Sequence, residues 1–195
     1  MKRIQVFCGS SKGIDSVFRP QVERFAEVLV KEKIGVVYGG AEVGLMGILA
    51  DKVLELGGEV IGVIPEFLQA KEIAHKNLTQ LILVKDLQER KTKMEEISDG
   101  TIALPGGYGT LDELFEVLTW AQLGFHAKPT ALLNIDGYYD NLILFLDNMV
   151  KMEFLKIENR ALIICENTPE AVIESMNSYV APKVSKWIHS PNIPY

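Results

Sequence analysis

Cysteine and histidine are scarce in this sequence, since its 195 residues include two cysteines and three histidines. Cys8 and Cys165 are far apart and form no Cys-x-x-Cys pair, which excludes a disulfide framework and gives no indication of a zinc site. His75, His126 and His189 are equally isolated. We therefore expect no bound metal and two reduced thiols, as is usual for a protein of the cytoplasm.

Long apolar runs and an excess of basic residues are also missing. No apolar run approaches the ~18 residues that a membrane-spanning helix needs. The apolar stretch near the amino terminus is broken at Gln5 and is too short for a signal peptide. Lysine and arginine total 20 against 26 aspartates and glutamates, a formal net charge of −6. Because nucleic-acid and anionic-membrane binders present a basic face, we expect neither partner.

The chain has no internal repeat, low-complexity segment or linker, and its length predicts one domain. Seven apolar runs predict strands at 3–7, 34–38, 59–64, 80–84, 100–104, 130–133 and 161–165. Amphipathic segments predict helices near 17–32, 44–56, 86–98, 110–123, 139–152 and 169–180. This alternation predicts a single α/β domain over 1–180, followed by a proline-containing tail, 181–195. The expected fold is a Rossmann-like doubly wound sheet, mostly parallel, with helices on both faces.

Glycine is distributed unevenly and marks the loops where a ligand is expected. In doubly wound sheets ligands bind beyond the carboxyl ends of the strands. Three loops follow predicted strands in this way. The first, 8–13, contains Ser10 and Ser11, and the second, 39–44, begins with Gly39 and Gly40. The third, 105–110, contains Gly106, Gly107 and Gly109. Both glycine pairs open helices whose free N–H groups favour an anion, although tight packing of loop on sheet is the alternative. Neither Walker A nor Gly-x-Gly-x-x-Gly is present, so the pattern predicts a phosphate without a dinucleotide cofactor.

Two charged positions are ambiguous in the sequence. Thr110 and Glu113 fit a capping box, which would give Glu113 a purely structural role. Alternatively, a carboxylate beside the predicted phosphate has a chemical purpose. In the helix near 86–98, Arg90 and Lys91 stand where the apolar stripe needs an apolar residue. Their stems could snorkel along the apolar surface, or Arg90 could reach a polar cleft, where its guanidinium suits a phosphate or a polarised substrate oxygen.

Several motifs together resemble one known family. The segments DLQERK (86–91) and SDGTIALPGGYGTLDELFEVLTWAQLG (98–124) resemble the LONELY GUY family of nucleotide phosphoribohydrolases, whose core pattern is Arg-Lys followed by PGGxGTxxE. Further matches are FCGSS at 7–11, YGGAEVGLMG at 38–47, VIGVIP at 60–65 and KPTALLNIDGYYDNL at 128–142. The resemblance covers about residues 3–180. It departs from the family at Leu87-Gln88, where many members carry Met-His.

The resemblance implies hydrolysis of the N-glycosidic bond of a nucleoside 5′-monophosphate, either AMP or a cytokinin riboside 5′-monophosphate, to free base and ribose 5-phosphate. It implies no cofactor, and a homodimer with active sites near the subunit interface. Arg90 and Glu113 match the family's catalytic pair. The predicted substrate contacts are Glu72, Lys91, Thr119, Ser10, Ser11, Gly39, Gly40, Gly106, Gly107, Tyr108, Gly109 and Thr110. The apolar run 142–146 predicts a helix that is either buried in the monomer or packed on a partner.

Two functions stay open on the sequence. In a phosphoribohydrolase, Glu113 would stabilise the positive charge that develops on the ribose as the bond breaks. The alternative is a nucleotide-binding or molybdenum-cofactor-carrier-like module on the same fold, without turnover. The Arg90–Glu113 pair favours the enzyme, because phosphate binding alone has no use for Glu113. Some relatives carry an older label of lysine decarboxylase, but no Schiff-base lysine or pyridinium partner is recognisable here.

Overall fold

The computed structural model describes residues 1–69 and 74–182. Seven strands form one sheet in the order β4-β3-β2-β1-β5-β6-β7, and every pairing is parallel. The strands are β1 (Arg3–Phe7), β2 (Gly35–Tyr38), β3 (Val60–Pro65), β4 (Gln80–Val84), β5 (Thr101–Ala103), β6 (Thr130–Leu133) and β7 (Ile163–Glu166). The helices are α1 (Asp15–Lys31), α2 (Gly44–Glu55), α3 (Glu66–Gln69), α4 (Leu87–Glu96), α5 (Tyr108–Leu123), α6 (Asp140–Lys151), α7 (Ile157–Arg160) and α8 (Pro169–Asn177). Within these described ranges no helix is long and apolar enough to cross a membrane.

Helices cover both faces of the sheet and form two hydrophobic cores. One core joins the sheet to α1, α2 and α8, through side chains such as Leu49 and Ile173. The other joins it to α4, α5 and α6, through side chains such as Met94 and Leu114. Strands buried on both faces are apolar throughout, which explains why β2, β3 and β6 read as unbroken apolar runs. The two edge strands, β4 and β7, are partly exposed.

The doubly wound fold and all seven strands are as predicted. The helix predicted near 110–123 begins two residues earlier, at Tyr108, because Gly107 takes the N-cap position. The short helices α3 and α7 were not predicted. The run 142–146 is buried on one side only, since Leu146 is buried while Leu144 and Phe145 are 67% and 59% exposed. Most of the predicted tail, residues 183–195, lies outside the described part of the chain.

The strand order places the loops after β1 and β5 side by side. The chain winds outward from β1 through β2 and β3 to β4, and then continues on the other side of β1 from β5. At such a reversal the helices that follow the two central strands, α1 and α5, pack on opposite faces of the sheet, and the crevice at the carboxyl ends of these strands is where ligands bind in open α/β sheets. The glycine-rich loops of the sequence are therefore brought to one edge of the sheet.

Candidate functional site

Three strand-to-helix loops are in contact at this crevice. The Gly9 N–H donates to the Pro105 carbonyl at 3.0 Å, and the Gly9 carbonyl accepts from the Leu45 N–H at 3.0 Å. A Cβ on Gly9 would lie 3.3 Å from the Gly106 Cα, and a Cβ on Gly106 would lie 2.9 Å from the Gly9 nitrogen. Both glycines are therefore required for the close approach of the loops after β1 and β5.

Side chains from α5 and from the segment between β6 and α6 fix the loop after β5. A Cβ on Gly106 would lie 2.1 Å from the Thr110 Oγ1, so the buried threonine occupies the space that this glycine leaves. The Tyr138 hydroxyl donates to the Gly106 carbonyl, and the Tyr139 hydroxyl donates to the Leu104 carbonyl at 2.6 Å. These tyrosines were not among the predicted residues. The signal in the sequence is an adjacent aromatic pair shortly after the predicted strand 130–133.

The first turn of α5 is open to a ligand. Gly107 is the N-cap and supplies no side-chain cap, and a Cβ on Gly107 or Gly109 would meet no atom within 4 Å. The first N–H groups of a helix have no acceptor within the helix. Ser10 and Ser11 line a cavity of about 280 Å³ together with Gly107 and its neighbours. Backbone donors, hydroxyls and free space thus coincide where the phosphate was predicted.

A buried ion pair joins α4 to α5 next to this turn. The Arg90 Nη2 donates to the Glu113 Oε1, and the two side chains are only 17% and 11% exposed. Asp86 starts α4 by accepting from the Glu89 N–H at 2.9 Å, which directs the next turn, with Arg90, towards α5. The capping-box interpretation of Glu113 is wrong, because Thr110 lies inside α5 and not at its N-cap. The snorkelling interpretation of Arg90 is wrong as well, because its guanidinium is buried against Glu113 and does not extend into water.

The electrostatics of this pair are set by burial. Burial raises the pKa of Glu113, and the charge and hydrogen bond of Arg90, which lower it, do not compensate fully. Burial also raises the pKa of the Cys8 thiol, with a smaller contribution from the Glu113 charge, so the thiol stays protonated at neutral pH. The Arg90 Nε is buried and has no hydrogen-bond partner among the described residues. It is therefore an unsatisfied buried donor next to the Glu113 carboxylate, a kind of group that needs an explanation in a folded protein.

Lys91 contacts α5 rather than the phosphate loop. Its Nζ lies 2.6 Å from the Glu116 Oε2 and 3.2 Å from the Asp112 Oδ2. The Gln88 amide donates to the other Glu116 oxygen at 3.1 Å. Thr119 donates to the Phe115 carbonyl and lines a separate cavity of about 540 Å³ on the outer side of α5. The structure therefore groups Lys91 with Glu116, a residue that was not predicted although it follows Glu113 by three positions on the same face.

The other predicted contacts lie at different distances from the ion pair. A Cβ on Gly39 would lie 3.6 Å from the Arg90 Nη1, so this glycine borders the cleft. Gly40 has a φ of +76°, and a Cβ at this position would lie 3.2 Å from the Ile64 Cβ. Both features give Gly40 a structural role. Exposed Tyr108 stands at the start of α5. Glu72 lies outside the described residues. Direct contact of each with substrate stays a prediction.

Comparison with known proteins gives the family. A family model described as "possible lysine decarboxylase" matches residues 46–176. The probable cytokinin riboside 5′-monophosphate phosphoribohydrolase LOGL6 of rice (Oryza sativa subsp. japonica) is 45% identical over 96% of this chain and 74% of its own length. The cytokinin riboside 5′-monophosphate phosphoribohydrolase LOG5 of Arabidopsis thaliana is 44% identical over 91% of this chain and 78% of its own. The chain belongs to the LONELY GUY family.

Solved structures support the fold of this family member. The molybdenum cofactor binding protein of the bacterium Rippkaea orientalis superposes with a TM-score of 0.67 over 90% of this chain and 95% of that one. The two sequences are 21% identical, so the likeness shows a common fold and nothing about the ligand. The residues that carry the resemblance to the family, Arg90, Lys91 and the loop that leads to Glu113, lie where α4 meets α5.

The description of the family model as a possible lysine decarboxylase implies pyridoxal phosphate. A Schiff-base lysine needs a neutral amine, which burial or neighbouring cations provide. Burial lowers the pKa of Lys91, but its hydrogen bonds to Glu116 and Asp112 outweigh that effect and the pKa is raised. The ammonium next to Arg90 is thus held in its charged form. These residues do not fit pyridoxal phosphate.

Proposed function

We propose that the protein hydrolyses the N-glycosidic bond of a nucleoside 5′-monophosphate and releases the free base and ribose 5-phosphate. The observation that carries the proposal is the buried Arg90–Glu113 pair beside a glycine-rich helix start at the carboxyl edge of the sheet. The activity named for the LOGL6 and LOG5 relatives supports the same reaction. A carrier without turnover is not favoured, since a negative charge beside a phosphate site weakens phosphate binding and needs a chemical reason.

The phosphate binds at the first turn of α5. Its oxygens accept from the N–H groups of Gly107–Thr110, and the partial positive charge of the helix end adds to the attraction. Ser10 and Ser11 supply hydroxyl donors from the opposite wall of the 280 Å³ cavity. Lys12 is the one basic residue that lines this cavity, so the arrangement needs little basic surface, which is compatible with the net charge of −6. Gly107 and Gly109 leave the space for it.

Glu113 stabilises the transition state. As the bond to the base breaks, positive charge develops on the ribose, and a carboxylate beneath the sugar binds this charged state more strongly than the neutral ground state. Burial excludes water from the carboxylate and increases the strength of the interaction. Glu113 follows the phosphate-binding turn by one helical turn, so a ribose that carries the bound phosphate lies next to it.

Arg90 orients Glu113 and binds the substrate. Its Nη2 donates to the carboxylate, while its Nη1, which borders Gly39, donates to an oxygen or nitrogen of the bound nucleotide. Arginine stays protonated in proteins, so it acts through charge and hydrogen bonding and not as the acid that protonates the leaving base. The planar guanidinium allows both bonds at once, which a lysine ammonium at the same position would not reproduce.

The direct test is chromatography of nucleotides incubated with the purified protein. AMP and a cytokinin riboside 5′-monophosphate are compared with adenosine, which lacks the phosphate. We expect free base from at least one of the two nucleotides, and far slower release from adenosine because it cannot occupy the α5 site. Nucleotide that is recovered intact but bound to the protein would support the carrier function instead.

The oligomeric state and the location belong to the same proposal: a homodimer in the cytoplasm. Exposed apolar side chains follow α6 into α7, namely Leu144, Phe145, Phe154 and Ile157, and a second copy of the chain would cover them. Both cysteines are free thiols, as a reducing compartment maintains. Light scattering after gel filtration should give twice the chain mass. Phe145→Glu should halve it, whereas the control Ile14→Glu, at an exposed residue before α1, should not.

A further inference from the structure

The helix that carries Arg90 is held by little apolar packing. Of the ten residues of α4, all of which the structure describes, Met94 alone is buried. Burial of one apolar side chain contributes about 1.5–3 kcal/mol. The position of Arg90 relative to Glu113 therefore depends on the polar contacts that α4 makes with its neighbours.

One carboxylate on α5 receives two of these contacts. The Glu116 Oε2 lies 2.6 Å from the Lys91 Nζ, and the Glu116 Oε1 accepts from the Gln88 amide at 3.1 Å. Lys91 and Glu116 are 14% and 22% exposed, so their ion pair is shielded from water. Asp112 also lies near Lys91 but is 68% exposed, and an ion pair that open to solvent contributes little. Glu116 is thus the main anchor of Lys91.

The two ion pairs run parallel between the helices. Arg90 and Lys91 are adjacent on α4, and Glu113 and Glu116 are one turn apart on the same face of α5. Loss of the Lys91–Glu116 pair would let the exposed side of α4 move away from α5. Arg90 would then move relative to Glu113, and displacements of about 1 Å at a catalytic group can reduce a rate by about 10²-fold.

We propose that Glu116 is a positioning residue, which holds α4 against α5 through Lys91 and Gln88 and so keeps Arg90 at Glu113. In this arrangement Lys91 fixes α4 to α5 and does not bind the phosphate. This role replaces the direct substrate contact that the family pattern predicts for Lys91. The inference rests on the proposed function, because Arg90 and Glu113 are the groups that Glu116 positions.

A double-mutant cycle tests the proposal. Glu116→Gln and Lys91→Met remove the charges with little change of shape, and kcat and KM for AMP are measured for each single variant and for the pair. We expect each single change to lower kcat about tenfold with KM nearly unchanged, and the double change to lower kcat about tenfold as well, because both break the same contact. Lys91→Arg keeps the charge and should restore most of kcat.

The control is Glu96→Gln, on the same helix but paired with Lys93 and not with α5, which should leave kcat and KM unchanged. If the two substitutions acted independently, kcat of the double variant would fall about a hundredfold, and this result would overturn the proposal. A raised KM in Lys91→Met alone, with Glu116→Gln unaffected, would also overturn it and would assign Lys91 to the phosphate. Should Glu116→Gln unfold, Gln88→Ala, at an exposed position, must still lower kcat. A wild-type protein that releases no base refutes the proposed function itself.

Discussion

Replacing Glu113 by glutamine should separate activity from stability. The amide keeps an oxygen that can accept from Arg90, so the shape of the site is preserved while its charge is lost. The neutral side chain no longer stabilises the positive charge on the ribose. Loss of one such electrostatic group typically lowers the rate by about 10²–10³, and we expect kcat of Glu113→Gln to fall by that factor.

The same change should not destabilise the protein at neutral pH. Burial raises the pKa of Glu113 in the folded state above that of an exposed glutamic acid, about 4.3. The folded state therefore favours the protonated form of Glu113. The stability that Glu113 contributes is fully present when the pH is below its pKa in the unfolded chain. That stability is lost as the pH rises through its pKa in the folded protein. Burial makes the ionised carboxylate costly in the folded state, and glutamine, which resembles the protonated form, removes that cost.

The size of the effect is measurable by calorimetry. A difference of one pH unit in pKa corresponds to about 1.4 kcal/mol, and about 1 kcal/mol moves the unfolding midpoint of a chain of this size by about 2–4 °C. We expect Glu113→Gln to unfold at a higher temperature than wild type at pH 7, and the difference to vanish towards pH 4. Glu158→Gln, at an exposed residue of α7, is the control and should change neither quantity.

Either of two results would refute this reasoning. A Glu113→Gln variant that retains near wild-type kcat would show that the carboxylate does not take part in the reaction. A variant that is inactive and also unfolds at a lower temperature than wild type at pH 7 would show that the Arg90–Glu113 attraction outweighs the burial of the carboxylate, contrary to the raised pKa of Glu113.

Three further predictions concern the same site. Arg90→Lys should lower kcat about a hundredfold while the fold is retained, as checked by circular dichroism, because an ammonium cannot make the two planar guanidinium contacts. The wild-type kcat should fall as the pH is lowered, with an apparent pKa above about 4.3 in a pH–rate profile, because the pKa of Glu113 is raised and the reaction needs its ionised form. Gly106→Ala should destabilise the fold by about 1–3 kcal/mol in urea titrations, because its Cβ would lie 2.1 Å from the Thr110 Oγ1, whereas Gly109→Ala has free space and should not destabilise it.

The sheet could be predicted from the sequence because its signal is local. Strands buried on both faces need unbroken apolar runs, and the seven runs mark the seven strands that form the sheet. The start of α5 could not be predicted as reliably. Thr110 and Glu113 form a good capping box in isolation, but contacts of Gly106 with the neighbouring loop and with Thr110 move the helix start to Tyr108. A tertiary contact overrode a local preference.

The Arg90–Glu113 pair could be recognised from the sequence, but the residues that support it could not. Arg90 interrupts an apolar stripe and Glu113 adds charge beside a phosphate site, so each is anomalous by itself. Glu116 looks like an ordinary polar residue on the outside of a helix, and only its 2.6 Å contact with Lys91 reveals that it joins two helices. Tyr138 and Tyr139 donate to backbone carbonyls of another loop, and the sequence marks them only as an adjacent aromatic pair after a predicted strand.

The bond that the protein cleaves is the central claim, and phosphorus NMR of AMP during incubation with the purified protein tests it most directly. We predict that the phosphorus signal of AMP is replaced by that of ribose 5-phosphate, and that an equal amount of adenine is measured in the same sample. We further predict that Glu113→Gln slows this conversion by at least about a hundredfold. Appearance of inorganic phosphate with adenosine would contradict the account, because the phosphate ester and not the N-glycosidic bond would then be the target.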